Sequence, residues 1–493
     1  MAGLVFPEFV SRTTFRFMTY WRCLVGFLGV VSGLAFSQSV ENPDGLRVTI
    51  QPSSEIVGRL VLEWTGLGEG YTYQVESRRL FGSPESVWEA LGERQEENTS
   101  FVLPNGLENR FFRVVARPAD TSERGRLISV ERVGGQSALF LRLALLFISD
   151  IPAGADLSVD FDVALYKLVY ETVDPSGGSV VASAAVALPE ERTAPLPVAV
   201  YQHPTLVKRD DGPSNPDSSE NLGGIFLAAD GYATVMPDYL GFGESDILHP
   251  FLMAEPTATA SVDALRAFHN FAASEEIATN DQLFILGYSE GGYAAMALHR
   301  ELEIHHQDEF PVTASAPMAG PYDLEGTIRD YLTDDPELPR PFYLAYALAA
   351  YGEYGETGKT FAEMLKPELA TVIPPLFNGL SGSSEIDQQL PRRLSEMLEP
   401  SFYADLRNDM GHPLLQALRE NNVYDWAPLA SMRLFHCLDD EVVDYANAET
   451  ALARFHELGA THVDLLNMAA GLSHEDCALP SVIMARQWLN SFR

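Results

Sequence analysis

The stretch Asp281-Gln282-Leu283-Phe284-Ile285-Leu286-Gly287-Tyr288-Ser289-Glu290-Gly291-Gly292, continuing into Tyr293-Ala294-Ala295-Met296-Ala297-Leu298, decides how the chain is read. An apolar, strand-like segment runs straight into a helix-like one, with G-x-S-x-G between them. A strand that reverses into a helix within so few residues leaves its pivot, Ser289, in a strained backbone conformation. Gly287 and Gly291 remove side chains that would clash there, and Gly292 is small where helix and strand pack closely. The hydroxyl is thereby pushed out at the carboxyl end of the strand. Beside it lies a helix end whose free N–H groups and positive dipole suit an oxyanion. The motif alone is weak, because an ordinary glycine-rich βα turn also contains it. Its flanks supply the weight.

A chain of 493 residues exceeds one ordinary domain and implies two or three. Its net charge of −36, with lysine only at Lys167, Lys208, Lys359 and Lys366, argues against nucleic acid or an anionic membrane as partner. Solubility, a saline medium being one setting for it, is the simpler reading of that charge and is preferred to an acid-specific binding role. Arg12, Arg16 and Arg22 precede an apolar run from Cys23 to Phe36, and Ala35-Phe36-Ser37 offers small residues at a cleavage spacing. Residues 1–37 therefore read as an export signal, and the mature chain as secreted or periplasmic. The run is too short to span a bilayer comfortably, so no stable membrane span is expected once it is removed. Loss of Cys23 would leave Cys437 and Cys477, which in an exported protein invite one disulfide; two buried thiols are the other reading.

Residues 38–120 read as short alternating strands without helical periodicity, a small β-sandwich. Leu62-Glu63-Trp64, Tyr73-Gln74-Val75-Glu76 and Phe111-Phe112-Arg113-Val114-Val115-Ala116 resemble a short, degenerate fibronectin type III module. Trp64, Tyr73 and Trp88 are expected in its core. From residue 121 the pattern changes. Leu139–Ile148 reads as a buried helix, and Val163–Thr172 with Ser179–Leu188 as a hairpin forming the antiparallel edge of a sheet. Strand and helix patterns then alternate to Ala319, which argues an α/β fold with a mostly parallel sheet. The alternation stops for a long aromatic-rich helical insertion, about 322–428, read as a cap over the carboxyl edge of the sheet. It resumes at Met432–Cys437, His462–Asn467 and a last helix, Leu479–Phe492.

A serine hydroxyl needs a base, and the base an orienting acid. On scaffolds built round this elbow the order is serine, acid, histidine. Three histidines lie far enough downstream. His456 falls inside a helix and His462 at the start of a strand, which leaves His474, in a loop at the catalytic edge. The acid should follow the preceding strand, where Asp439, Asp440 and Glu441 compete; Asp440 is favoured, Asp439 the alternative. The oxyanion needs the N–H of Glu290 and one from the loop Gln202-His203-Pro204-Thr205; Pro204 has none, so Thr205 is the expected donor. A Cys437–Cys477 bridge would tether the acid and histidine loops. His299, His305 and His306 read as a solvated helix end, not a metal site.

Tyr201-Gln202-His203-Pro204-Thr205, Pro237-Asp238-Tyr239-Leu240-Gly241-Phe242-Gly243-Glu244-Ser245 and Gly287-Tyr288-Ser289-Glu290-Gly291-Gly292-Tyr293 resemble the bacterial α/β-hydrolases related to secretory lipases. Ala314-Ser315-Ala316-Pro317-Met318-Ala319-Gly320-Pro321-Tyr322-Asp323-Leu324 and the Asp440 loop fit as well, over roughly 166–493. Members usually carry glycine where Pro204 stands. The resemblance implies an α/β-hydrolase fold, puts Ser289, Asp440 and His474 at the triad positions, and implies carboxylic-ester hydrolysis. His249-Pro250-Phe251 also matches and receives no chemistry. The expected protein is an exported esterase or lipase acting on a small-molecule ester, without metal or organic cofactor. Its rivals are an exported proline-preferring serine peptidase and an inactive hydrolase-fold surface-binding protein.

Overall fold

Strand Thr279–Tyr288, ending at the serine elbow, lies inside a nine-stranded sheet, and every residue from Leu283 onward is buried. The computed structural model describes residues 124–493, apart from 147–150, 153, 192–193, 356 and 469, and before residue 124 only short stretches: 28–29, 38–41, 47–52, 60–64, 71–79, 89–90, 100–103 and 110–118. The chain divides into two units, Met1–Ala119 and Asp120–Arg493.

In the first unit the described strands pair antiparallel in two four-stranded sheets. Tyr71–Arg79 pairs along Arg110–Pro118, and Leu60–Trp64 lies between Arg47–Pro52 and Ser100–Val102. Leu62, Trp64 and Val75 are buried, as alternation along half-covered strands requires. Trp88 and the expected export signal fall outside the described residues, except for Leu28–Gly29 in the apolar run, a two-residue strand.

The second unit carries strands β1 (Leu127–Gln136), β2 (Val163–Val173), β3 (Ser179–Pro189), β4 (Leu196–Gln202), β5 (Ala233–Pro237), β6 (Thr279–Tyr288), β7 (Ala314–Met318), β8 (Ser431–His436) and β9 (Val463–Asn467). They lie in the order β9-β8-β7-β6-β4-β5-β3-β2-β1. β4 to β9 run parallel, while β1, β2 and β3 join by antiparallel ladders. The β2–β3 hairpin is the anticipated one, closed by Asp174 Oδ1, which accepts from the N–H groups of Ser176 and Gly178. β1 was not anticipated. Its run Leu-Ile-Ser-Val-Glu-Arg-Val-Gly-Gly-Gln carries glycines and charges, because it is the outer strand with mostly exposed side chains.

Alternation along the parallel strands splits the core between two faces. Val198, Val200, Leu283 and Ile285 face helices α3 (Ala254–Ser274) and α4 (Glu290–His305). Ala199, Tyr201, Phe284 and Leu286 face the opposite layer, which includes α2 (Leu222–Ala229). α1 (Ala138–Leu145) is helical as expected but only partly buried: Leu139, Phe140 and Leu143 are exposed, while Ala138 and Leu141 are buried and Leu145 packs beside them. Apart from Arg142 the octamer is apolar all round, so its pattern does not show which side faces inward.

Between β7 and β8 the insertion folds as α5 (Leu324–Asp334), α6 (Phe342–Tyr354), several single-turn helices, α7 (Pro400–Asn408) and α8 (Pro413–Glu420). Its core is continuous with Phe251, Met253, Tyr293 and Met296. Tyr351 and Tyr354 donate from α6 to the carbonyls of Leu252 and Leu248, in the loop that follows β5. The insertion thus lies at the carboxyl end of the parallel strands. α9 (Ala446–Glu457) follows β8, and α10 (His474–Leu489) closes the chain. α10 starts five residues before the expected helix. Pro480 sits inside α10, and the N-cap is Ser473, whose Oγ accepts from the Asp476 N–H.

Candidate active site

Ser289 joins β6 to α4 with φ 60° and ψ −122°. A non-glycine residue with positive φ costs on the order of 1–3 kcal/mol unless its surroundings hold it there. They do. The Ser289 N–H donates to Met318 O at 2.9 Å, and Ser289 O accepts from the N–H groups of Gly292 and Tyr293. A Cβ on Gly287 would stand 2.2 Å from Gly291 O, and one on Gly291 would stand 2.1 Å from Gln202 O. The glycines on either side of the serine are therefore a steric requirement of strand, helix and the end of β4 meeting at one point.

His474 Nε2 stands 2.8 Å from Ser289 Oγ, and His474 Nδ1 stands 2.7 Å from Asp440 Oδ2. Ser289, Asp440 and His474 are 6 %, 9 % and 4 % exposed. The three neighbouring acids divide their work. Asp439 Oδ2 accepts from the Gly471 N–H at 2.7 Å, and Glu441 Oε2 from the His474 N–H at 3.0 Å. Only Asp440 reaches the imidazole. Its other oxygen, Oδ1, accepts from the N–H groups of Val442 and Val443. Burial works to raise the Asp440 pKa, but hydrogen bonds from His436, His474 and Val443 and the charge of His474 outweigh it, holding the carboxyl well below the usual range. His474 is the first residue of α10, not a loop residue, so the cap that starts that helix also fixes the ring's root.

The loop after β4 passes the start of α4, where His203 O and Gln202 O lie closest to Gly291. Among the described residues neither the Glu290 N–H nor the Thr205 N–H has an acceptor. Both remain available to a ligand.

A family model described as the alpha/beta hydrolase family matches residues 217–474. The chain belongs to the alpha/beta hydrolase family. A presumed hydrolase from Legionella pneumophila is 31 % identical, with a TM-score of 0.67 over 74 % of this chain and 98 % of that one. The rice cell wall degrading esterase LipA from Xanthomonas oryzae is 26 % identical, with a TM-score of 0.65 over 76 % of this chain and 98 % of that one. Candida antarctica lipase A, at 17 % identity and a TM-score of 0.56 over 76 % of this chain and 84 % of that one, shares the fold. No curated protein matches the chain.

This alpha/beta hydrolase carries supporting groups that the sequence did not reveal. His436, the last residue of β8, donates from Nε2 to Val443 O at 2.9 Å and lies 3.3 Å from Asp440 Oδ2. Tyr288 donates its hydroxyl to His474 O at 2.6 Å, and burial pushes that phenol's pKa up, with Asp440 and Glu441 adding to it. Neither role is visible in spacing, because each depends on where a loop from another strand folds back. Cys437 and Cys477 form a disulfide, their Cα atoms 6.2 Å apart. It joins the residue after β8 to the first turn of α10.

His299 is not solvated, as the sequence suggested, but fully buried. Its Nδ1 lies 2.7 Å from Ser315 Oγ and its Nε2 2.9 Å from Glu303 Oε1. Glu303 also accepts from the N–H groups of Leu429 and Ala430. In this second serine–histidine–carboxylate set Ser315 and His299 are fully buried and Glu303 partly so, and it fastens the end of the insertion to α4. Among the described residues no group of three or more metal-ligating side chains could hold an ion, and no helix is long and apolar enough to cross a membrane.

Proposed function

We propose that this alpha/beta hydrolase is an exported serine esterase or lipase cleaving carboxylic esters through an acyl-enzyme. The observation that carries the reading is the unbroken line from Ser289 Oγ to His474 Nε2 (2.8 Å) and from His474 Nδ1 to Asp440 Oδ2 (2.7 Å). Ser289 Oγ attacks the ester carbonyl carbon while His474 Nε2 takes its proton. His474 then returns that proton to the leaving alkoxide, and the C–O bond to the alcohol breaks. Asp440 keeps the imidazole in the tautomer with hydrogen on Nδ1 and stabilises the cation that forms. The N–H groups of Glu290 and Thr205 hold the tetrahedral oxyanion. Water, activated by the same histidine, releases the acid. The aromatic insertion above the site suits an acyl or aromatic substituent. Likeness to an esterase at 26 % identity supports the substrate class, and the disulfide suits an oxidising compartment.

The test is hydrolysis of p-nitrophenyl esters of graded acyl length by wild type and Ser289→Ala, beside proline-containing peptides. Wild type should turn over esters, and Ser289→Ala should lose on the order of 10⁴-fold or more in kcat with its melting temperature retained. Cleavage of peptides without any ester would replace this reading by a peptidase. Equal turnover by the two proteins would remove Ser289 from the chemistry.

A further inference from the structure

His249 has no part in the mechanism above, yet it is buried and in contact with Glu290, the residue after the nucleophile. Its Nε2 stands 2.6 Å from Glu290 Oε1, and its Nδ1 2.7 Å from Leu240 O. A carbonyl oxygen only accepts, so Nδ1 carries a hydrogen. One further proton lies between Nε2 and Oε1, and on either atom it leaves the pair neutral as a unit. Glu290 Oε2 is buried with no hydrogen-bond partner among the described residues.

The ring is also held on its faces. Tyr239 stacks on it at 5.9 Å, and Phe242 and Tyr346 approach at 4.8 Å and 5.7 Å. Tyr239 stacks in turn on His203 at 4.0 Å and donates its hydroxyl to His203 O. His203 stands two residues before Thr205. A continuous stack therefore runs from the loop that bears one free N–H to the helix end that bears the other.

The charge matters as much as the contact. A carboxylate on the residue whose N–H faces a developing oxyanion opposes the negative charge that the N–H is there to stabilise. Tyr239 and Tyr346, the phenols beside this pair, are raised by burial and then by the charge of Glu290, and neither is a cation that could neutralise it. We propose that His249 is a positioning residue for the oxyanion site, neutralising the Glu290 carboxylate and fixing the first-turn amide of α4 where the oxyanion forms. The inference rests on the reading of Ser289 as nucleophile.

It is tested on the full chain by kcat and KM for p-nitrophenyl acetate, with thermal melting, for wild type, Ser289→Ala, His249→Gln, Glu290→Gln and the double variant His249→Gln/Glu290→Gln. His249→Gln should lose about 100-fold in kcat with KM changed by less than about threefold, the scale of losing one oxyanion donor. The double variant should recover to within about tenfold of wild type, because removing the carboxylate removes the need for its partner. A packing role alone predicts no such rescue. Wild-type kcat in His249→Gln, or a double variant no better than His249→Gln, would overturn the proposal. Should His249→Gln fail to fold, the double variant is read against Glu290→Gln. The loss of His249 should then cost less than about threefold in kcat, and a further hundredfold loss would overturn the proposal. Turnover in Ser289→Ala equal to wild type would instead overturn the nucleophile reading, so the two failures are distinct.

Discussion

At the scale of single residues, the loop Asp439-Asp440-Glu441 shows how similar side chains acquire different work. Each binds the segment 471–474 that leads into α10, but two bind backbone N–H groups and one binds the ring. Exchange of Asp440 for Asn should cost about 10⁴-fold in kcat, because the amide favours the wrong tautomer of the histidine. Asp439→Asn, which keeps an acceptor for the Gly471 N–H, should cost less than about tenfold on that comparison. A loss at 439 matching that at 440 would exchange their assigned roles. The folded protein holds Asp440 below its ordinary pKa, so folding disfavours its protonation. The stability it contributes is complete above about pH 5 and is lost as pH falls below about 4 towards the depressed value. Denaturant titrations of wild type and Asp440→Asn should differ by a constant amount between pH 5 and 8 and converge only in stronger acid. Convergence already at pH 6 would contradict the carboxyl's environment.

At the scale of elements, two kinds of tie hold the site, and they differ in strength. Arg340 in the insertion reaches Glu475 at 3.2 Å, but that carboxylate is 80 % exposed, and such pairs contribute about 0–1 kcal/mol. The shared apolar core, with Phe251 stacked on Tyr346 at 4.7 Å, gives about 1.5–3 kcal/mol for each large side chain fully buried. Packing, not that ion pair, seats the insertion. The Cys437–Cys477 bridge spans 40 residues, which in chain-entropy terms corresponds to about 4 kcal/mol. A Cys437→Ala/Cys477→Ala variant should melt about 5 °C lower. It should also lose kcat at temperatures where it remains folded, since the bridge joins the acid loop to the histidine helix. Unchanged kcat would show that the hydrogen bonds of Asp439 and Glu441 hold the loops without it.

At the scale of the whole molecule, charge dominates. A net −36 on 493 residues makes self-repulsion a continuous cost to the folded chain, and mobile ions screen it beyond about 10 Å at 0.1 M salt. The melting temperature should therefore rise as sodium chloride increases from 10 mM towards 1 M. A fall over that range, followed by calorimetry, would mean that specific ion pairs contribute more than the repulsion costs. Arg126–Glu171, Lys167–Glu244, Arg266–Glu309 and Arg433–Asp464 are the kind that salt would weaken.

Local order was legible in the chain wherever a short-range rule governs it. The βα alternation, the hairpin at Asp174, the elbow at Ser289 and the break into a helical insertion all follow from periodicity, turn chemistry and glycine placement. The chain order of serine, acid and histidine singled out His474 and narrowed the acid to three neighbours. Which of the three faces the ring depends on how two loops from different strands fold against each other, and only the tertiary structure decided it. The same holds for His249 and His436, and for His299, whose burial comes from a segment more than a hundred residues away. Spacing along a chain records the pull of near neighbours. The partner of a buried polar group is chosen by packing across the sheet, and no local pattern carries that choice.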